Sequence, residues 1–194
     1  MSELRRRLVH LTGTAFPGAY ALDVVSYRQF RLALLAALVV VAGLEFVRLV
    51  IGYQHWIYDE LTREYEADNV AGYALFFAGS VLAAFLFQPT LAVAAVLMLS
   101  VGDPISGVLG SADASAAKAA GVLAAMFLVC FLVALPLVLP AFGTVEGVVV
   151  AVAGALGATF ADGVKPVIAG YVIDDNFSIP PLAGGAMWVV VQLL

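Results

Sequence analysis

Few residues in this chain are able to do chemistry, and they fall in a handful of short stretches. In "LSVGDPISGVLG", residues 99–110, one carboxylate, Asp103, stands between a long apolar run and a glycine-rich turn. Gly102, Gly107 and Gly110 permit close backbone approach, and Asp103 offers an acceptor for a cation or a hydroxyl. The same Asp before Pro104 also reads as the N-cap of a helix, and a helix N-terminus is itself a place where phosphate binds.

Asp174, Asp175 and Asn176, just ahead of the last apolar segment, supply oxygen ligands of the kind Mg2+ takes together with water and nucleotide phosphate. A polar turn capping a final helix accounts for the same three residues. Glu45 and Arg48 lie three apart inside "VVVAGLEFVRLVIGY", on one helical face. Charges inside a span cost about 2.5–3.5 kcal/mol on insertion scales, so this pair faces protein or water, as a structural ion pair or as the lining of an anion or metal site.

"RRRLVHLTGT" opens the chain's first apolar segment with three arginines and His10, a pattern that topology-setting cations also explain. Asp162 and Lys165, three apart, form either a local ion pair or, through Lys165, a polyphosphate contact.

The elements that must position these groups are membrane helices. Of 194 residues, 63% are hydrophobic and 12% charged, with mean hydropathy +1.05, well above the near-half apolar content of soluble domains. Continuous apolar runs without alternation indicate helices rather than a barrel. The expected fold is an all-α, polytopic helical bundle in one domain, residues 1–194, with about seven spans at roughly 8–25, 30–53, 70–88, 90–109, 119–140, 144–161 and 178–194. The arginines lead straight into a span, so no cleaved signal is expected.

Arg5, Arg6, Arg7, Arg63, Lys118 and Lys165 fall on one side of this arrangement, against Arg28 and Arg31 on the other. The positive-inside rule then puts the N-terminus in the cytoplasm, in the cell membrane, and gathers Arg48, Asp103, Asp162 and Asp174–Asn176 at the cytoplasmic face. Net charge is −5, from seven Arg, two Lys and 14 acids, the acid-rich, lysine-poor balance of salt-adapted organisms, and a halophilic archaeon is the expected source. Cys130 has no partner cysteine. Walker, GxSxG, HExxH and CxxC patterns are absent from the sequence, as is a basic, aromatic-interleaved surface for nucleic acid.

The order of these motifs resembles the polyprenol kinase family, the group of dolichol kinases, phytol kinases and CTP-dependent diacylglycerol kinases. "RRLVHLTGT" is similar to its Arg-Lys-x-x-His-x-x-Gly opening, "LSVGDPISGVLG" to its Gly-Asp-x-x-Ala-x-x-x-Gly segment, and "DDNFSIPPLAGG" to its Asp-Asn-x-x-x-Pro motif, so that the likeness runs from about Arg6 to Gly185. It departs in two places: the family's Lys-Ser-x-x-Gly stretch is reduced to "AAKAAGVLAAMF" around Lys118, and Asp162 stands where a Glu is common.

The resemblance implies a membrane enzyme that uses CTP and a divalent metal to phosphorylate a lipid alcohol, with Gly102, Asp103, Asp175, Asn176 and His10 as the matching positions. On that basis Asp103 and Asp175, with Asp174 beside them, are expected to bind Mg2+ at the CTP phosphates, with Asn176 as neighbouring ligand or donor. Arg48, Lys118 and Lys165 would neutralise the polyphosphate, and His10 or Asp103 would orient or deprotonate the acceptor hydroxyl. The alternatives are a cytidylyltransferase that makes a CDP-lipid, a diacylglycerol-type kinase, and, outside enzymes, a small transporter, which would show polar groups near mid-membrane and on both faces.

Overall fold

The computed structural model describes residues 12–53, 55–62, 66–110, 118–164, 167–168, 171–172 and 174–194. The described chain is a bundle of helices: α1 (Ala15–Ala21), α2 (Tyr27–Leu49), α3 (Trp56–Leu61), α4 (Gly72–Leu86), α5 (Pro89–Leu97), α6 (Asp103–Leu109), α7 (Ala120–Phe142), α8 (Thr144–Gly163) and α9 (Asp175–Leu193). A two-residue antiparallel ladder, β1 (Val167–Ile168) with β2 (Tyr171–Val172), lies between α8 and α9.

Four helical stretches, Tyr27–Leu49, Pro89–Leu109, Ala120–Phe142 and Thr144–Gly163, are long and apolar enough to cross a bilayer, and the chain is a helical membrane protein. Among the described residues that is four rather than the expected seven. The 15 residues of α4 reach about 22 Å, short of a hydrocarbon core of about 30 Å. In the first expected span, the described helix is only Ala15–Ala21; it stops where Asp23 turns into the left-handed region at φ 55°. α2 begins at Tyr27, because Ser26 and Gln29 form a capping box: the Ser26 hydroxyl accepts from the Gln29 N–H, and the Gln29 side chain accepts from the Ser26 N–H.

The stretch Pro89–Leu109 is the axis of the bundle. Leu91 through Val96, Met98 and Leu99 are fully buried, and two thirds of its apolar window lies inside the protein, against 17% for α2 and 28% for α7. A helix that is apolar all round belongs in the interior, and the alanines at 92, 94 and 95 keep it thin enough for neighbours to surround it. α7, α8 and α9 pack on it through Met126, Cys130, Val150, Ala155 and Met187. A second cluster, Phe30, Leu34, Ala84, Val93 and Val96, joins α2 and α4 to the same axis. Outward faces carry exposed Val39, Phe46, Leu128, Leu132, Leu156 and Val189, as lipid contact requires.

α9 starts at Asp175, three residues before the expected boundary, because the Asp174 carboxylate accepts from the Asn176 N–H at 2.9 Å and caps it. Pro180 and Pro181 then lie inside the helix and lack the N–H groups that carbonyls 176 and 177 would normally receive. α4 approaches at this point: a methyl on Gly79 would run into the Phe177 carbonyl. Gly79→Ala is therefore expected to destabilise the protein by about 1–3 kcal/mol, the usual cost of overpacking, measured by denaturant unfolding in mixed micelles.

Candidate functional site

The central helix is interrupted where the chemistry lies. Met98–Gly102 is wound as a π-helix and runs into α6 at Asp103, whose backbone is itself helical, at φ −60° and ψ −46°. Pro104 has no N–H to offer the carbonyl four residues back, and the extra residue of the π turn absorbs that gap. Asp103 thus lies within a continuous helix, and the alternative role as N-cap before Pro104 does not hold.

Gly102 serves the packing of this interrupted helix. A methyl there would lie 2.8 Å from the Cys130 sulfur and 2.9 Å from that of Met126, so its missing side chain lets α7 pack against the π turn. The close approach it provides is to a helix.

Three helix ends bring their acids together. Asp103 from the start of α6, Asp162 from the end of α8 and Asp175 from the start of α9 each place a carboxylate oxygen within 4.8 Å of the other two. Asp162 and Asp175 are buried. Lys118, just before α7, reaches in: its ammonium donates to Asp162 at 2.5 Å and to the Ser106 hydroxyl at 3.0 Å, while Ser106 donates to the other Asp162 oxygen at 2.7 Å. Asp162 is therefore held by residues 44 and 56 positions away. His10 and Lys165 lie outside the described residues.

Carboxylates this close repel by roughly 3–4 kcal/mol per pair at an effective dielectric of about 20, and Lys118 balances one of them. Three hard, anionic oxygen donors converging at one point fit a divalent cation of the Mg2+ type. Asp174, expected as a further ligand, is not among the converging three; it accepts from the Asn176 backbone and, at 2.7 Å, from the Asn176 side-chain amide.

A second polar assembly lies at the same end of the bundle. Arg48 donates to both Glu45 oxygens, at 3.1 and 2.7 Å, and to the carbonyls of Glu66, Ala67 and Asn69 at 2.9, 3.0 and 2.5 Å. Glu45 also accepts from the Ala71 N–H at 3.0 Å and from the Tyr73 hydroxyl. A guanidinium has five N–H donors, and all five are engaged here. The expectation that Arg48 neutralises nucleotide phosphate is therefore corrected: it clasps the loop between α3 and α4 to α2.

The sequence reading missed Glu66, Ser106 and Tyr73. Glu66 is buried, and its carboxylate accepts from the Gly72 N–H at 3.2 Å. Within the acid-rich loop nothing in its local sequence separates it from Glu60 or Glu64.

The fold and the site define a helical membrane protein whose converging acids lie together at one end of the bundle, where its second polar assembly also lies. No protein-family model, curated protein or solved structure matches the chain.

Proposed function

We propose that this protein is a CTP-dependent lipid-alcohol kinase, acting on a polyprenol, dolichol or related isoprenoid alcohol. The observation that carries this reading is the convergence of Asp103, Asp162 and Asp175 within 4.8 Å beside Lys118, at one end of a membrane bundle. Phosphoryl transfer asks for little beyond positioned reactants and neutralised charge, and such a site supplies both.

Asp103, Asp162 and Asp175 would hold Mg2+, which when bound offsets the phosphate charge and orients the transferred group. Lys118, anchored by Asp162 and Ser106, adds a fixed positive charge beside the phosphates. Asn176, tied through its amide to Asp174, holds the first turn of α9 in place. As the acceptor oxygen bonds to the γ-phosphorus, the bond from that phosphorus to the bridging oxygen breaks and CDP leaves with the electron pair. The hydroxyl proton passes to a carboxylate at this end of the bundle.

In this reading α1, α4 and α9 complete a seven-segment arrangement in the cell membrane, with the N-terminus and the acid cluster on the cytoplasmic side. Support comes from the alternation of the helices, which brings Arg48, Asp103, Lys118, Asp162 and Asp175 to one end. A transporter would distribute its polar groups along a path, whereas here the converging acids occupy one end.

Membranes containing the protein, incubated with Mg2+, CTP labelled at the γ-phosphate and a panel of polyprenols, geranylgeraniol and diacylglycerol, are expected to yield labelled lipid phosphate and CDP. Pyrophosphate carrying the label, with an unlabelled CDP-lipid, would assign the cytidylyltransferase chemistry instead. Labelled diacylglycerol phosphate alone would move the substrate to glycerolipids.

A further inference from the structure

One residue on from Asp175, Asn176 forms part of the wall of a cavity of about 160 Å³, with Glu66 beside it and Phe16, Leu61, Phe76 and Phe77 among the other residues lining it. The cavity is amphipathic. Glu66 and Asn176 converge over Gly72, where a methyl group would come within 3.0 Å of the Asn176 amide nitrogen and 3.3 Å of a Glu66 oxygen. Glu66 is 3% exposed, a carboxylate set into a wall shared with the aromatic rings of Phe16, Tyr73, Phe76 and Phe77.

Phe16, which packs edge-on to Phe77 at 5.5 Å between ring centres, also lines a second hollow of about 220 Å³ between α1 and α2, bordered by Ala19, Val25, Phe30 and Ala33. Phe16 therefore borders both a chamber with a polar end and a mostly apolar hollow.

We infer that the cavity seats the hydroxyl end of the acceptor alcohol, with Glu66 holding the hydroxyl, and that the acceptor's chain passes Phe16 into the hollow between α1 and α2. This rests on the lipid-alcohol kinase reading above. Pockets for such molecules are mostly apolar with a few convergent polar groups, and a long-chain alcohol has the same one polar end and apolar remainder. A carboxylate offers about four acceptor positions, so Glu66 can accept from the hydroxyl as well as from the Gly72 N–H. As the oxygen bonds to phosphorus, Glu66 takes the hydroxyl proton and later returns it to water. Phe16 selects among chains by its bulk at the exit.

Two measurements on the full-length protein in membranes test this. In the first, without CTP, a diazirine-bearing geranylgeraniol analogue is photolysed and the adducts are mapped. Adducts at Phe16, Phe76 or Phe77 that unlabelled geranylgeraniol displaces are expected. Adducts confined to lipid-facing positions such as Val39 and Leu128, and not displaced, overturn the seat even if γ-phosphate transfer is observed. Cavity adducts without any γ-phosphate transfer keep the seat and remove the kinase reading.

The second measurement is kinetic. Glu66→Gln preserves an acceptor for the Gly72 N–H and is expected to lower kcat about 10²–10⁴-fold, the usual range for a lost proton acceptor, with the KM for CTP unchanged. Phe16→Trp is expected to raise the KM for long polyprenols more than for farnesol. Wild-type turnover in Glu66→Gln, or an equal effect of Phe16→Trp on all chain lengths, overturns the assignment.

Discussion

Asp103→Asn is expected to lower phosphoryl transfer by about 10²–10³-fold, the cost of removing one preorganised electrostatic contact, while leaving the protein folded in membranes. The two outcomes separate because the substitution acts in opposite directions on catalysis and on folding. Asn keeps the size of Asp103 and the helix through the π turn, and it removes one of three carboxylates whose oxygens lie within 4.8 Å of each other. Repulsion in the folded protein falls, so the variant should unfold no sooner than the wild type.

A cation offers a readout independent of turnover. Ligand that binds only the folded state stabilises it by mass action, by about 2.7 kcal/mol at a hundredfold excess over Kd. Mg2+ should therefore raise the unfolding midpoint of the wild type and shift that of Asp103→Asn much less. Equal Mg2+ shifts, or undiminished CTP-dependent transfer by the variant, would show that the acid cluster is not the reaction site.

The largest stability effect is expected at Arg48, where Arg48→Met should cost about 3–5 kcal/mol, the usual penalty for leaving one member of a buried ion pair unpaired. Both side chains are over nine-tenths covered, and the change removes the cation paired with Glu45, leaving that carboxylate only the Ala71 N–H and the Tyr73 hydroxyl, and takes the donors from the Glu66, Ala67 and Asn69 carbonyls. Unfolding by denaturing detergent in mixed micelles measures the loss, and a value below about 1 kcal/mol would contradict the clasp. Adding Glu45→Leu should recover part of it, since the stranded charge is then gone. Because every Arg48 donor is already occupied, the KM for CTP per folded molecule should stay within about twofold of wild type, whereas loss of a direct phosphate contact would raise it tenfold or more.

What the chain reveals without its tertiary structure follows from local rules. Membrane residence is legible because a bilayer demands long apolar helices, and composition and run length report that residue by residue. The start of α2 was off by three residues, because a capping box at Ser26 and Gln29 is a four-residue signal that hydropathy alone overlooks. Asp103, Asp175, Asn176 and Lys118 stand out in the sequence because polar groups in such surroundings need partners.

Other features were decided by residues far apart in sequence. Asp162 meets Lys118 across 44 positions, a pairing that no local spacing announces. Arg48 looks like an available cation until the loop carbonyls, about 20 residues on, close around it. A side chain on Gly102 would meet the sulfur atoms of Cys130 and Met126 on α7, more than 20 residues away in sequence. Glu66 became a candidate only through burial beside Asn176. Sequence by itself determined that this is a helical membrane protein with a small set of unusual acids, because lipid imposes that pattern one segment at a time. Which acids meet, and which cation is already consumed, was decided by the tertiary structure, because charge pairing acts through space, and helix packing sets the distances.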